Sequence, residues 1–198
     1  MFLSINIKIC MTAKNHLLFS PRVNNLLLNM SSYYRKPVKK KSVLKEFKIL
    51  IASVILFWAI EIADYTIFQG SLDQYGIKPR DTAALWGIFL APLLHGGFGH
   101  LMANTIPFIT LGWLTMLQET SDFYIVSILS AVVGGIGVWL FGAPNSVHIG
   151  ASILIYGYLG FLLLRGYFQK NLPSITLSVL VAIVYGGVIW GVFPNEIG

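Results

Sequence analysis

The sequence predicts an all-α protein, a polytopic bundle of transmembrane helices. Of its 198 residues 56% are hydrophobic and 11% charged, against roughly 45–50% and about 25% in a soluble domain. The apolar residues come in runs of about fifteen to twenty rather than in amphipathic stripes, which suits lipid as the solvent. Ten of the fourteen basic residues precede position 49, so the net charge of +6 is local.

Residues 1–48 read as a basic cytoplasmic tail. Arg35, Lys36, Lys39, Lys40, Lys41, Lys45 and Lys48 stand directly before the first long apolar run, where excess positive charge fixes the cytoplasmic side and meets anionic lipid headgroups. Residues 1–34 lack the pattern of a secretory signal peptide and are expected to be poorly ordered, with Met30 a candidate translation start. The bilayer is the partner this charge implies; no basic groove with aromatic platforms points to nucleic acid.

A hydrocarbon core about 30 Å thick requires about twenty apolar helical residues. On that measure residues 49–198 form a membrane domain with spans at 49–68, 100–117, 123–141, 150–164 and 175–193. Alternation from a cytoplasmic tail puts residues 70–99 and 142–149 outside and 118–122 and 165–174 inside, which Arg165 and Lys170 fit. A bacterial inner membrane is the expected location. The fourth span has only about 15 apolar residues, about 22 Å of helix, so the end carrying Gly150 and Ser152 is expected to stop short of the surface. The apolar stretch 85–94, with Pro92 near its end, is too short to span and reads as an interfacial or re-entrant element.

Polar groups at membrane depth are costly and gather at sites or at helix-helix hydrogen bonds. His100 and Asn104, at i and i+4, share a helix face and can offer two donors to one oxygen, as an oxyanion hole requires; packing hydrogen bonds are the alternative. His95 falls in the outer loop before them. Ser152 opens the fourth span, where unpaired backbone N–H groups suit a nucleophile, and Tyr156 follows on the same face; a serine that caps the helix is the alternative. His95 and His100 are spaced i, i+5 with no third ligand beyond His148, so no metal site is expected. Cys10 is the single cysteine and excludes an internal disulfide. Glu61 and Asp64 are expected to pair with the outer loop near Lys78 and Arg80. Gly134, Gly135 and Gly137, with Gly157 and Gly160, read as small-residue packing faces. A small transporter would show matching halves; no internal repeat is present.

His95-x4-His100-x3-Asn104 leading into a span, and Gly150-Ala151-Ser152 opening a short span with Tyr156 one turn on, together resemble the rhomboid family of intramembrane serine proteases. Gly76-Ile77-Lys78-Pro79-Arg80 followed by Trp86 resembles that family's outer first loop. The resemblance covers about residues 49–198. It implies Ser152 as nucleophile of an endopeptidase acting on transmembrane substrates through an acyl-enzyme, with His100, Asn104 and the Ser152 N–H holding the oxyanion. It implies that His95 orders the first loop and that Tyr156 packs at the position of the catalytic histidine. No cofactor is implied.

Three features depart from the family pattern. Ile153 stands where the motif Gly-x-Ser-Gly has its last glycine, and Gly87 stands where an arginine often follows the loop tryptophan. The family's general base is a histidine on a sixth span, and the residues present supply five of the usual six. His148 and His100 are the other histidines near the site, and neither suits the role of base. A chain complete as given is therefore expected not to hydrolyse peptides, and the alternative function is that of an inactive rhomboid-like protein that binds or retains transmembrane helices.

Overall fold

The computed structural model describes residues 43–117 and 119–187. Most of the expected tail, the order expected of residues 1–34 and the outer end of the fifth span lie outside the described residues.

Helix α1 (Val43–Ala63) begins six residues before the expected span, so Lys45 and Lys48 ride on its first turns. It continues as a wider π turn, Asp64–Phe68, and ends where Gln69 and Gly70 take positive φ angles of 53° and 80°. The loop that follows, the one expected on the outer side, is built from short turns, Ser71–Tyr75 and Thr82–Ala84, then α2 (Gly87–Leu90) and a last turn Ala91–Leu93. Helix α3 (Phe98–Met116) carries the second span. The third is one rod, Thr120–Phe141, made of α4 (Thr120–Leu129), a π turn Ser130–Gly134 and α5 (Gly135–Phe141). Helices α6 (Ser152–Gln169) and α7 (Leu172–Tyr185) complete the described bundle.

The bundle is organised around α6, which packs on α3, α4 and α7. Its inward residues Leu154, Ile155, Tyr158, Leu159 and Leu162 meet Leu101, Phe108 and Leu111 of α3 and Phe123 and Val126 of α4. Tyr158 is fully buried; its ring stacks on Phe123 at 5.4 Å and 23°, and its hydroxyl shares a hydrogen bond of 2.6 Å with Ser127. The outward faces are apolar as well, with Ile55, Leu56, Ile125, Ile128, Ile183 and Val184 exposed. Helices hydrophobic all round are those that face lipid.

Among the described residues one helix, the 22-residue rod Thr120–Phe141, is by itself long and apolar enough to cross a bilayer. The fourth helix departs most from expectation. It runs on past Leu164 to Gln169, because Arg165 is buried on the helix instead of lying in the inner loop. Its guanidinium approaches Asp122 at 3.8 Å and lies over the Phe161 ring at 5.4 Å. A paired charge can remain at a helix end where a lone one would leave it. The turn between α6 and α7 is correspondingly short. Asn171 caps α7 by accepting from the Ser174 N–H at 2.9 Å, and Pro173 sits in the first turn, so this helix starts at Leu172 rather than 175.

The glycine faces divide. A side-chain carbon at Gly134 would lie 2.9 Å from Ile153, and one at Gly157 would overlap the Ser130 hydroxyl, so these two bring the rod against α6. Gly135 similarly accommodates Ile88 of α2, whereas Gly137 and Gly160 meet no neighbour among the described residues.

Candidate active site

The outer loop is strapped to the chain just before α6. Ile77 and His148 exchange two backbone hydrogen bonds of 2.9 Å as an isolated antiparallel pair. The Arg80 N–H donates to the Trp139 carbonyl at 2.9 Å, and its guanidinium donates to the carbonyls of Leu140 and Gly142 at 3.2 and 3.1 Å. Those carbonyls end α5 and have no partner within the helix, so a cation there is doubly favourable. The expected pairing of Arg80 with Glu61 or Asp64 is therefore absent. Asp64 instead accepts the Leu72 N–H at 2.9 Å, which folds the first turn of the outer loop back onto α1.

The loop's backbone crosses itself at Gly76 and Gly87. A side-chain carbon at Gly87 would lie 2.2 Å from the Gly76 carbonyl oxygen. This close crossing excludes an arginine at 87 and explains the departure from the family pattern there. Trp86, beside it, is 75% exposed and continues an apolar outer surface with Leu85, Phe89 and Leu90. Such a face suits the membrane interface.

His95, 1% exposed, lies at the centre of the site's framework. Its Nε2 accepts the Ala151 N–H at 3.3 Å, while its ring packs 5.6 Å from Phe57 and 5.4 Å from His100. Burial, then the neighbouring His100, pushes the His95 imidazole down to about 4. It is therefore neutral and free to accept. The Gly150 N–H donates to the Ala91 carbonyl at 2.8 Å, and Leu154 and Ile155 bond back to Ala151. The N–H groups of Ser152 and Ile153 remain unpaired among the described residues at the start of α6.

Gly150 has φ of +113°, and its α-carbon sits against the polar tips of α3. A side-chain carbon there would lie 2.7 and 2.8 Å from Cε1 and Nε2 of His100 and 3.2 Å from Nδ2 of Asn104. The two residues that spacing placed on one face thus converge on the residue two before Ser152. Nδ2 of Asn104 is buried with no partner, and such an orphaned donor calls for an explanation. The Ser152 side chain does not cap the helix: the capping position is Ala151 and no side-chain bond closes it.

Ser152, Ile153 and Tyr156 line a cleft of about 980 Å³ between α6 and the rod Thr120–Phe141, which Ser130, Gly134 and His148 also line. His100 and Asn104 do not line it; they meet Gly150 instead. Ile153 is accommodated by Gly134, so the branched residue after the serine has its complement on the neighbouring helix. His148 shares the cleft, but its ring is held by Ser146 at 2.8 Å. Because that hydroxyl donates to Ala143, the His148 nitrogen is the donor. Among the described residues no group of histidine, cysteine and acidic side chains is arranged to hold a metal ion.

A bundle of apolar helices packed round one central helix is the architecture of a membrane-embedded helical protein. The family model described as the Rhomboid domain matches residues 82–198, and the chain belongs to the rhomboid family. It is accordingly an integral membrane protein. Uncharacterized proteins of Mycobacterium tuberculosis (strain ATCC 25618 / H37Rv) and Mycobacterium bovis (strain ATCC BAA-935 / AF2122/97) are each 42% identical over 151 residues, covering 73% of this chain and 62% of theirs. The putative rhomboid protease YdcA of Bacillus subtilis (strain 168) is 27% identical over 124 residues, 62% of each chain. The chain thus spans less than two thirds of the length of these relatives. No solved structure matches it.

Proposed function

We propose that this protein is an intramembrane serine endopeptidase of the rhomboid type, cleaving transmembrane protein substrates in a bacterial inner membrane, with its basic tail, residues 1–48, on the cytoplasmic side. Ser152 is the nucleophile. Its hydroxyl oxygen adds to the scissile carbonyl, the amine leaves, and water then hydrolyses the acyl-enzyme. His100, Asn104 and the Ser152 N–H hold the oxyanion, and His95 fixes the outer loop against Ala151. The observation that carries this reading is the orphaned Asn104 Nδ2, aimed at Gly150 two residues before an uncapped serine. Buried donors without ground-state partners are what a developing oxyanion requires.

The general base comes from outside residues 43–187 in this reading. The family resemblance assigns it to a histidine on a further span, and the cleft between α6 and the rod Thr120–Phe141 leaves Ser152 and Tyr156 open on that side. His148, engaged by Ser146, is not the base.

The experiment is fluorophosphonate labelling of the full-length protein in lipid nanodiscs. Labelling at Ser152 that disappears in Ser152→Ala supports the protease, and an unlabelled folded protein refutes it. Ile153, whose side chain fills the Gly134 face of the cleft next to Ser152, favours a second reading in which the cleft holds transmembrane helices without cutting them. That reading requires a transmembrane peptide to crosslink at the Tyr156 position while Ser152 stays unreactive.

A further inference from the structure

The loop between α1 and α3 holds a pocket of about 290 Å³ lined by Tyr75, Lys78, Asp81, Ala84, Trp86 and Gly87. None of these residues takes part in the proposed reaction. The pocket's walls are tied down. The Asp81 N–H donates to the Lys78 carbonyl at 3.2 Å, the Asp81 carbonyl accepts the Trp139 indole N–H at 3.0 Å, and Gly87 is fixed by its crossing with Gly76. A pocket held in this way is formed before anything enters it, so binding there orders little further chain.

The pocket is lined by one basic and one acidic side chain, and among the described residues no ion pair joins them. The Lys78 ammonium has no partner there, whereas Arg80, the other cation of the loop, is engaged by the carbonyls of Leu140 and Gly142. Asp81 accepts the Ala83 N–H on Oδ1 at 2.9 Å, capping the turn Thr82–Ala84, and keeps Oδ2 available. A cation and an anion that share one cavity without bridging are complementary to a ligand that carries both charges. Beside the pocket an exposed apolar face continues through Leu85, Trp86 and Phe89. In an integral membrane protein, exposed aromatic rings beside a lysine at the end of a span mark the level of the lipid headgroups.

We propose that this pocket binds the headgroup of a phospholipid of the ethanolamine class, with the phosphate on Lys78, the ammonium on Asp81 and the acyl chains along Leu85, Trp86 and Phe89. The chemistry selects that class. Lys78 offers the phosphate a charge-assisted hydrogen bond. The ethanolamine ammonium carries N–H donors for the Asp81 carboxylate, and a choline carries none. An anionic lipid without an amine would leave Asp81 unpaired beside a second negative charge, which is unfavourable at the low-dielectric edge of a bilayer. The rings of Tyr75 and Trp86 line the same space and attract an ammonium through their faces. Lipid binding here is independent of whether Ser152 is reactive.

The test is native mass spectrometry of the full-length protein, delipidated in detergent and titrated with phosphatidylethanolamine, phosphatidylglycerol or phosphatidylcholine of the same acyl chains. The wild type is expected to take up phosphatidylethanolamine ahead of the other two. Lys78→Gln is expected to weaken that binding about fivefold, the usual contribution of one basic side chain at a lipid surface, and Lys78→Arg to restore it. Asp81→Asn keeps a side-chain oxygen for the Ala83 N–H and is expected to abolish the preference for phosphatidylethanolamine over phosphatidylglycerol. Equal phosphatidylethanolamine affinity in wild type and Lys78→Gln, or a preference that survives Asp81→Asn, overturns the proposal. If either variant does not fold, the wild type decides by itself: a preference for ethanolamine over both glycerol and choline headgroups supports the pocket, and equal uptake of the three lipids, the behaviour of an unselective lipid annulus, overturns it.

Discussion

Nε2 of His95 accepts the backbone N–H of Ala151 across 56 residues of chain, at 3.3 Å. Through this bond the loop before α3 holds the residue that precedes Ser152, and it does so only while His95 is neutral. The ring titrates at about 4, below its ordinary value near 6.5, because it is buried and lies beside His100.

A histidine held below its unfolded value stabilises the fold fully above pH 6.5 and loses that contribution as pH falls from 6.5 through 4, since the unfolded chain binds the proton first. The loss is about 3 kcal/mol. Thermal unfolding in detergent between pH 7 and 4 is expected to show Tm falling over this window. In His95→Leu the fall over the same window is expected to flatten, with a lower Tm at pH 7 because the Ala151 N–H is left unpaired.

Asn104→Ala removes a donor that has no partner in the resting protein. Its cost to stability is expected to be small, whereas Ser152 labelling by fluorophosphonate is expected to slow by about a hundredfold, the usual effect of losing one oxyanion donor. A large drop in Tm with unchanged labelling would identify Asn104 as a packing residue instead.

Gly150→Ala is expected to be damaging on two counts. The backbone there has φ of +113°, and the added carbon would fall 2.7 Å from the His100 ring. We expect a loss of about 2 kcal/mol, read as Tm, together with loss of Ser152 labelling, because relief of the clash must move either His100 or the start of α6.

Gly87→Arg, which would restore the arginine common in the family, is expected to destabilise the outer loop, since its first carbon would sit 2.2 Å from the Gly76 carbonyl. Arg80→Ala, by contrast, removes two hydrogen bonds from the exposed end of α5 and is expected to cost about 1 kcal/mol. Limited proteolysis of the outer loop, with Tm alongside, separates the two. Gly87→Arg should expose residues 76–90 to cleavage far more than Arg80→Ala does.

The all-α membrane class follows from the sequence by itself, because a long apolar run has one low-energy form in hydrocarbon: a helix that satisfies its own backbone. The sharing of a face by His100 and Asn104, and the position of Ser152 at a helix start, follow likewise from helical periodicity and from the loop residues before Gly150. These are local properties, set within one or two turns. The extension of α6 over Arg165 was not legible, because a charge reads as a loop until Asp122 and Phe161 are seen to enclose it. The tertiary structure alone decided that His95 serves Ala151, that Arg80 closes α5 rather than pairing with Asp64, and that Gly134 makes room for Ile153. Each of these joins residues far apart in the chain, and which donor meets which acceptor is settled by how the helices pack, a relation that no periodicity within a single helix encodes.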